Sequence, residues 1–194
     1  TRGIKPNFYR AAAIELANLW ASVGSGVVRV ISDARFEHKA YEELAEHNLI
    51  ILGGPKSNSI VEKFDQPFHF LSNNSDSSSP FEMGFRVGNC EYVGKGFGLV
   101  SLGPISREPK KNTGLLVTVA GSSIEGALNA FEIFKSNLFA TNSWQHRIPE
   151  FIVSGPSYVR GRNSHMSLEG VVAAGWWGNN WEYLNKSSLA LNCK

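Results

Sequence analysis

The sequence predicts an α/β fold: a three-layer flavodoxin-like or Rossmann-like sandwich with a mostly parallel sheet and a small antiparallel insertion. Three observations predict it. The stretch Asn48-Leu-Ile-Ile-Leu-Gly-Gly-Pro-Lys-Ser-Asn-Ser59 reads as a buried strand, a glycine turn and a helix start. Leu115-Leu-Val-Thr-Val-Ala-Gly-Ser-Ser-Ile-Glu-Gly126 repeats that layout. Around them, strand-like segments alternate with helix-like ones, the pattern that builds a parallel sheet with helices on both faces.

Each element has its own warrant. Residues 7–22 read as a helix, because Ala11-Ala12-Ala13 favours one and Ile14, Leu16, Ala17 and Trp20 form an apolar stripe. Gly24 and Gly26 end it. Val27-Val-Arg-Val-Ile31 is β-branched and reads as a strand closing at Ser32-Asp33. Residues 39–47 read as a short helix. Leu49 to Leu52 is too short an apolar run for a helix and suits a buried strand. Gly53, Gly54 and Pro55 break it, and Ser57 or Asn58 caps the helix implied by Ile60, Val61 and Phe64. A short strand follows at 67–71, then a Ser/Asn/Asp loop at 72–80.

Over 81–106, glycines interleave with Phe85, Val87, Tyr92, Phe97, Leu99 and Val100, which predicts a β insertion. Leu115 to Ala120 reads as a central strand. Ser122 or Ser123 caps a helix reaching about residue 137, with Ile124, Ala127, Leu128, Phe131 and Phe134 on one face. Phe151 to Ser154 is a last core strand. The span 171–194 reads as an aromatic C-terminal arm that adds one more strand at an edge. A single domain accounts for all 194 residues.

Composition narrows the functional classes. The chain is 42% apolar and 19% charged, as globular proteins are. A net charge of +2, with Lys110-Lys111 as the longest basic run, argues against nucleic acid. No apolar run approaches the roughly 18 residues that span a bilayer, which argues against a membrane partner. The chain starts at Thr1-Arg2-Gly3 without Met and reads as a processed or excised product. The sequons Asn73-Asn-Ser75 and Asn185-Lys-Ser187 suggest glycosylation and a secreted protein. In that compartment a Cys90–Cys193 disulfide competes with two buried thiols.

The candidate ligand-binding residues are Gly53, Gly54, Ser57, Asn58, Gly121, Ser122 and Ser123. Both glycine turns belong at the carboxyl ends of strands, where open α/β sheets bind ligands. Their small side chains and amides suit an anionic or hydroxyl-rich ligand. Neither turn is a dinucleotide fingerprint or a phosphate loop, so no cofactor is expected. Trp176, Trp177 and Trp181, with Asn179 and Asn180, form a candidate aromatic surface for stacking a sugar or meeting another domain. Catalytic candidates are few. No Gly-x-Ser-x-Gly is present, and Gly155-Pro-Ser-Tyr-Val159 ends in the wrong residue. Asp33 at an early strand end and His165 in a late loop are the only triad-like pair. The five histidines lack metal-ligand spacing, and so do the two cysteines.

The order of these motifs resembles the C-terminal portion of large secreted hydrolases of the prolyl-oligopeptidase and polyhydroxybutyrate-depolymerase-like type of fungi and bacteria. The resemblance is carried by Asn48-Leu-Ile-Ile-Leu-Gly-Gly-Pro-x-x-Asn58, Phe97-Gly-x-Val100, Gly121-Ser-x-x-Glu-Gly126 and Ala174-Gly-Trp-Trp-x-x-x-Trp181. In that family the nucleophile lies in a separate upstream domain. The resemblance therefore implies a non-catalytic accessory or substrate-holding module, partnered by an upstream catalytic domain of the same precursor. A weaker likeness is to bacterial cell-wall-binding repeats, although no tandem repeat is present. Two other functions stay open: a free-standing carbohydrate- or anion-binding protein, and a small hydrolase built from Asp33, Asn58, Ser122 and His165.

Overall fold

A computed structural model describes residues 5–23, 26–36, 47–72, 79–106, 114–139, 149–158 and 169–191, with backbone alone at 5–7 and 137–139. Among these residues the protein is mostly β. Six strands form one sheet: β1 (Leu49–Leu52), β5 (Gly98–Pro104), β6 (Leu115–Gly121), β7 (Phe151–Ser154), β8 (Val171–Trp177) and β9 (Tyr183–Ala190). Their order is β1-β6-β5-β7-β8-β9. A second sheet holds β2 (His69–Leu71), β3 (Gly84–Val87) and β4 (Cys90–Val93) in sequential order. The helices are α1 (Lys5–Val23), α2 (Asp33–Phe36) and α3 (Ile124–Phe139), and a 3-10 turn covers Val61–Lys63.

The predicted Rossmann-like or flavodoxin-like sandwich with a mostly parallel sheet is overturned. Of the adjacent pairs only β1 and β6 run parallel, with Leu49 beside Leu116 and Leu52 beside Val119. All other pairs are antiparallel. β6 and β7 share a direction, since each is antiparallel to β5 between them. The unit β6-α3-β7 is thus a strand-helix-strand crossover spanning an intercalated strand.

Three layers do exist, but the third is a sheet. On one face of the large sheet, Ala12 and Leu16 of α1 join Ala130, Phe131 and Phe134 of α3 over Val100, Val117 and Val119. Ile133 of α3 extends this cover to Ile152 and Val171. On the opposite face, Phe85, Val87, Cys90 and Tyr92 of the small sheet pack on Leu99, Ala120, Phe151, Val153 and Ala173. Both faces of the central strands are therefore buried, and all four residues of β7 are inaccessible. Such strands read as continuous apolar runs. That is the reading that suggests a parallel sheet under two helix layers. The composition of a strand reports that both its faces are covered, and says nothing of what covers them.

Three local expectations also change. Val27 to Ile31 is not a strand; it pairs with no other described segment, and Val27 is 99% exposed. β-Branched residues favour a strand only where a neighbouring strand accepts the pairing. The helix after the first glycine turn shrinks to the 3-10 turn. Phe64 is already extended, and Pro67 keeps the residue before it out of helical geometry. The span 171–194 is not an arm up to Leu191: β8 lies inside the large sheet between β7 and β9. Of the predicted insertion over 81–106, the hairpin β3-β4 belongs to the small sheet, and β5 is a central strand of the large one. All but the last residue of the helix expected at 39–47, and most of the loop at 72–80, lie outside the described residues; His47 itself is not helical.

Candidate functional site

The parallel pairing of β1 with β6 brings the two glycine turns side by side. The Gly53 amide donates to the Val119 carbonyl at 2.9 Å, continuing the ladder past the end of β1. Gly53 itself needs its residue type. Its φ is +98°, and an added Cβ would run into Ser57 Oγ.

The second turn is fully committed to packing. Ser122 Oγ accepts the Phe97 amide at 3.0 Å and donates to the Phe97 carbonyl at 3.2 Å. Ser123 Oγ accepts the amides of Gly96, at 3.0 Å, and Gly126, at 3.2 Å. The latter bond caps α3 as expected of a serine at that position. A Cβ at Gly121 would collide with the backbone of Ala127, and one at Gly126 with the Phe97 carbonyl. Gly121, Ser122 and Ser123 thus brace the start of α3 against the chain entering β5.

The first turn is also largely self-satisfied. The amides of Ser57 and Asn58 both donate to the Gly54 carbonyl at 2.9 Å. Ser57 Oγ donates to the same carbonyl. Asn58 Nδ2 reaches the Leu52 carbonyl at 3.2 Å, and its Oδ1 accepts the Ile60 amide. Ser59 gives its amide and its hydroxyl to Asp33 Oδ2. Burial pushes the Asp33 carboxyl upward, but hydrogen bonds from Ser59 and the Ala34 amide outweigh it and hold the carboxyl below its usual range. Asp33 therefore serves as an acceptor that ties α2 to the turn. His165 lies outside the described residues.

The Lys56 amide of the turn meets a carboxyl group the protein supplies itself. Lys56 N–H donates at 2.7 Å to Glu82 Oε1. Glu82 is only 3% exposed, and among the described residues its Oε2 has no hydrogen-bond partner. A Cβ at Gly54 would come within 3.0 Å of Glu82 Cγ. On the other side, the Tyr9 hydroxyl is buried next to the Gly121 backbone and the Ser57 side chain without a well-formed hydrogen bond. Burial raises the phenol far above its ordinary range. The carboxyl end of the β1-β6 pair therefore carries Glu82 and Tyr9 rather than a row of open amides. An external anion would meet a buried carboxyl group where the sequence suggested a cradle.

Glu82 makes stability depend on pH. Burial raises its carboxyl, the Lys56 amide and ammonium oppose that rise, and Glu62 adds to it. A raised pKa means the folded state holds the proton more tightly than the unfolded chain does. The stabilisation is complete below the ordinary Glu value and is lost as pH climbs through the folded value. Glu82→Gln abolishes that loss. We expect the variant to melt above wild type at pH 8, with the gap closing near pH 4. Each 1 kcal/mol corresponds to about 2–4 °C for a chain of this size. Parallel melting curves across pH check this, and a gap that does not change with pH contradicts it.

The aromatic surface is dispersed. Trp177 is 5% exposed, stacks on Phe151 at 4.5 Å and donates Nε1–H to the Leu102 carbonyl at 2.9 Å. Trp176, its neighbour along β8, is half-buried on the opposite face, as strand alternation requires. Trp181 is half-buried against the core. Asn185 is exposed on β9, at the edge of the large sheet, while Asn73 lies outside the described residues. Cys90 is buried and disulfide-bonded; Cys193 lies outside the described residues.

A second concave surface lies on the outer face of the small sheet. His69, Arg86, Gly88, Asn89, Glu91 and Val93 line an open groove of about 720 Å³. The sequence carried its signal. Gly84-Phe-Arg-Val87 and Cys90-Glu-Tyr-Val93 alternate about a two-residue Gly88-Asn89 turn, so Arg86 and Glu91 point away from the core face. Glu82 had no such signal, because its burial depends on where the small sheet docks. Among the described residues, no group of three or more His, Cys, Asp or Glu side chains is placed to hold a metal ion. No helix among the described residues is long and apolar enough to cross a membrane. No family model, curated protein or solved structure matches the chain.

Proposed function

We propose that the chain is a non-catalytic module of a secreted serine-hydrolase-like protein, packing on a catalytic domain or holding substrate for it. One observation supports this above others: the hydroxyls best placed for nucleophilic work are engaged with the backbone, Ser57 and Ser122 as donors and Ser122 and Ser123 as acceptors. Ser57, Ser122 and Ser123 bond to Gly54, Phe97, Gly96 and Gly126. A serine nucleophile needs an imidazole or comparable base within hydrogen-bond reach, about 2.6–3.2 Å. Among the described residues, none of the three has one. Asp33 and Asn58 are likewise committed to Ser59, Leu52 and Ile60. This weighs against a small hydrolase built from these residues.

The test is an activity-based one. The isolated chain is incubated with a fluorophosphonate probe and with short ester and peptide substrates. We expect no labelling and no turnover above buffer. Labelling that disappears in Ser57→Ala, Ser122→Ala or Ser123→Ala would overturn the reading.

A further inference from the structure

The geometry points to the groove on the outer face of the small sheet as a binding site for neutral carbohydrate, in which Arg86 and Glu91 read a pair of adjacent hydroxyls. Antiparallel register sets His69 beside Arg86 and Arg86 beside Glu91, so the three side chains form one row across β2, β3 and β4. Cross-strand neighbours of this kind stand about 4.5–5.5 Å apart at Cβ. Arg86 Nη1 lies 3.8 Å from Glu91 Oε1, with the side chains 45% and 53% exposed. That separation is beyond a hydrogen bond, so neither group exhausts its donors or acceptors on the other.

This arrangement selects a chemical class. A guanidinium offers only donors and a carboxylate only acceptors. Vicinal hydroxyls supply the complement: one oxygen accepts from Arg86 while the neighbouring O–H donates to Glu91. Charged partners make such bonds stronger than neutral ones. Asn89 and His69 flank the pair with further donors and acceptors. Val93, 45% exposed, gives the groove an apolar patch for the C–H face of a sugar ring at the end of the ladder opposite the Gly88-Asn89 turn. An anionic ligand is disfavoured, because Glu91 stands beside Arg86, the only Lys or Arg among the described residues lining the groove. The volume of about 720 Å³ falls within the range of small-molecule sites. The site uses none of the glycine-turn residues and does not depend on whether the chain is catalytic.

Titration calorimetry of the full chain with neutral cello-, manno- and chito-oligosaccharides tests it, alongside an acidic uronate oligomer. We expect saturable binding of at least one neutral series and none of the uronate. Arg86→Ala and Glu91→Ala should each weaken binding about tenfold, equivalent to 1.4 kcal/mol. Both residues are exposed, so the melting temperature should barely move, and a melting curve verifies that each variant is folded. Trp176→Ala is expected to leave affinity unchanged. Silence of the wild type toward every neutral series overturns the inference. So does preference for the uronate, or binding that survives both groove substitutions and is lost with Trp176→Ala.

Discussion

Gly126→Ala is expected to destabilise the fold by about 3 kcal/mol or more, although the residue sits inside helix α3. Helix propensity alone predicts the opposite sign, since alanine exceeds glycine by about 1 kcal/mol in a helix interior. Packing decides. The Gly126 α-carbon lies against the Phe97 carbonyl, where an added Cβ has no room. That carbonyl cannot yield, because it accepts the Ser122 amide at 2.8 Å and the Ser122 hydroxyl at 3.2 Å. Gly98 and Gly121 make the same approach from β5 and β6, so the first turns of α3 meet the two strands backbone to backbone. Overpacking usually costs about 1–3 kcal/mol, and a clash with braced backbone belongs at or above the upper end. Chemical denaturation of Gly126→Ala beside Gly94→Ala gives the comparison. An alanine at Gly94 meets no atom within 4 Å and suffers only from a φ of +114°. Equal stability of the two variants would remove the close-packed joint from the account.

Trp177→Ala should cost about 3–5 kcal/mol, while Trp176→Ala costs less than about 1 kcal/mol. The two indoles are adjacent in sequence and differ in face. Trp177 fills the core between Phe151 and Tyr183, with ring centroids at 4.5 and 6.4 Å. Its removal also strips the Leu102 carbonyl of the indole donor it holds at 2.9 Å. Trp176 has no such burial. Urea unfolding midpoints of the two variants, read with their slopes, check the asymmetry. Similar losses at both positions would mean that the pair acts as one surface.

These two expectations mark how far the candidate sites were legible in the residues alone. Gly121, Ser122 and Ser123 were identified at a strand-to-helix turn, and they occupy one. Their hydroxyls are nonetheless consumed, because Phe97 and Gly96 arrive from another part of the chain to take them. The Trp-Trp pair was visible, but a strand shares its indoles between two faces and only the placement of β8 inside the sheet says which face is core. Arg86 and Glu91 were legible in the alternation of a hairpin. Their cross-strand contact follows from a register that the short Gly88-Asn89 turn sets.

By itself the sequence determined the local elements whose warrants are local. The helix α1, the Ser123 cap of α3 with its Ala127, Phe131 and Phe134 face, the apolar runs of β1, β6 and β7 and the glycine turns follow from propensity, periodicity, capping and backbone freedom within a few residues. The stripe expected on α1 does not hold, because Ile14 is exposed and Ala12 joins Leu16 on the buried face, and Ile124 of α3 is exposed as well. The tertiary structure alone decided strand direction and what lies over the large sheet. Pairing direction depends on connections between distant segments, and a strand buried on both faces has the same composition under a helix or under another sheet. Glu82 shows the same division. Nothing adjacent to it in sequence marks it for burial; docking of the small sheet on the glycine turn puts its carboxyl against the Lys56 amide and out of water.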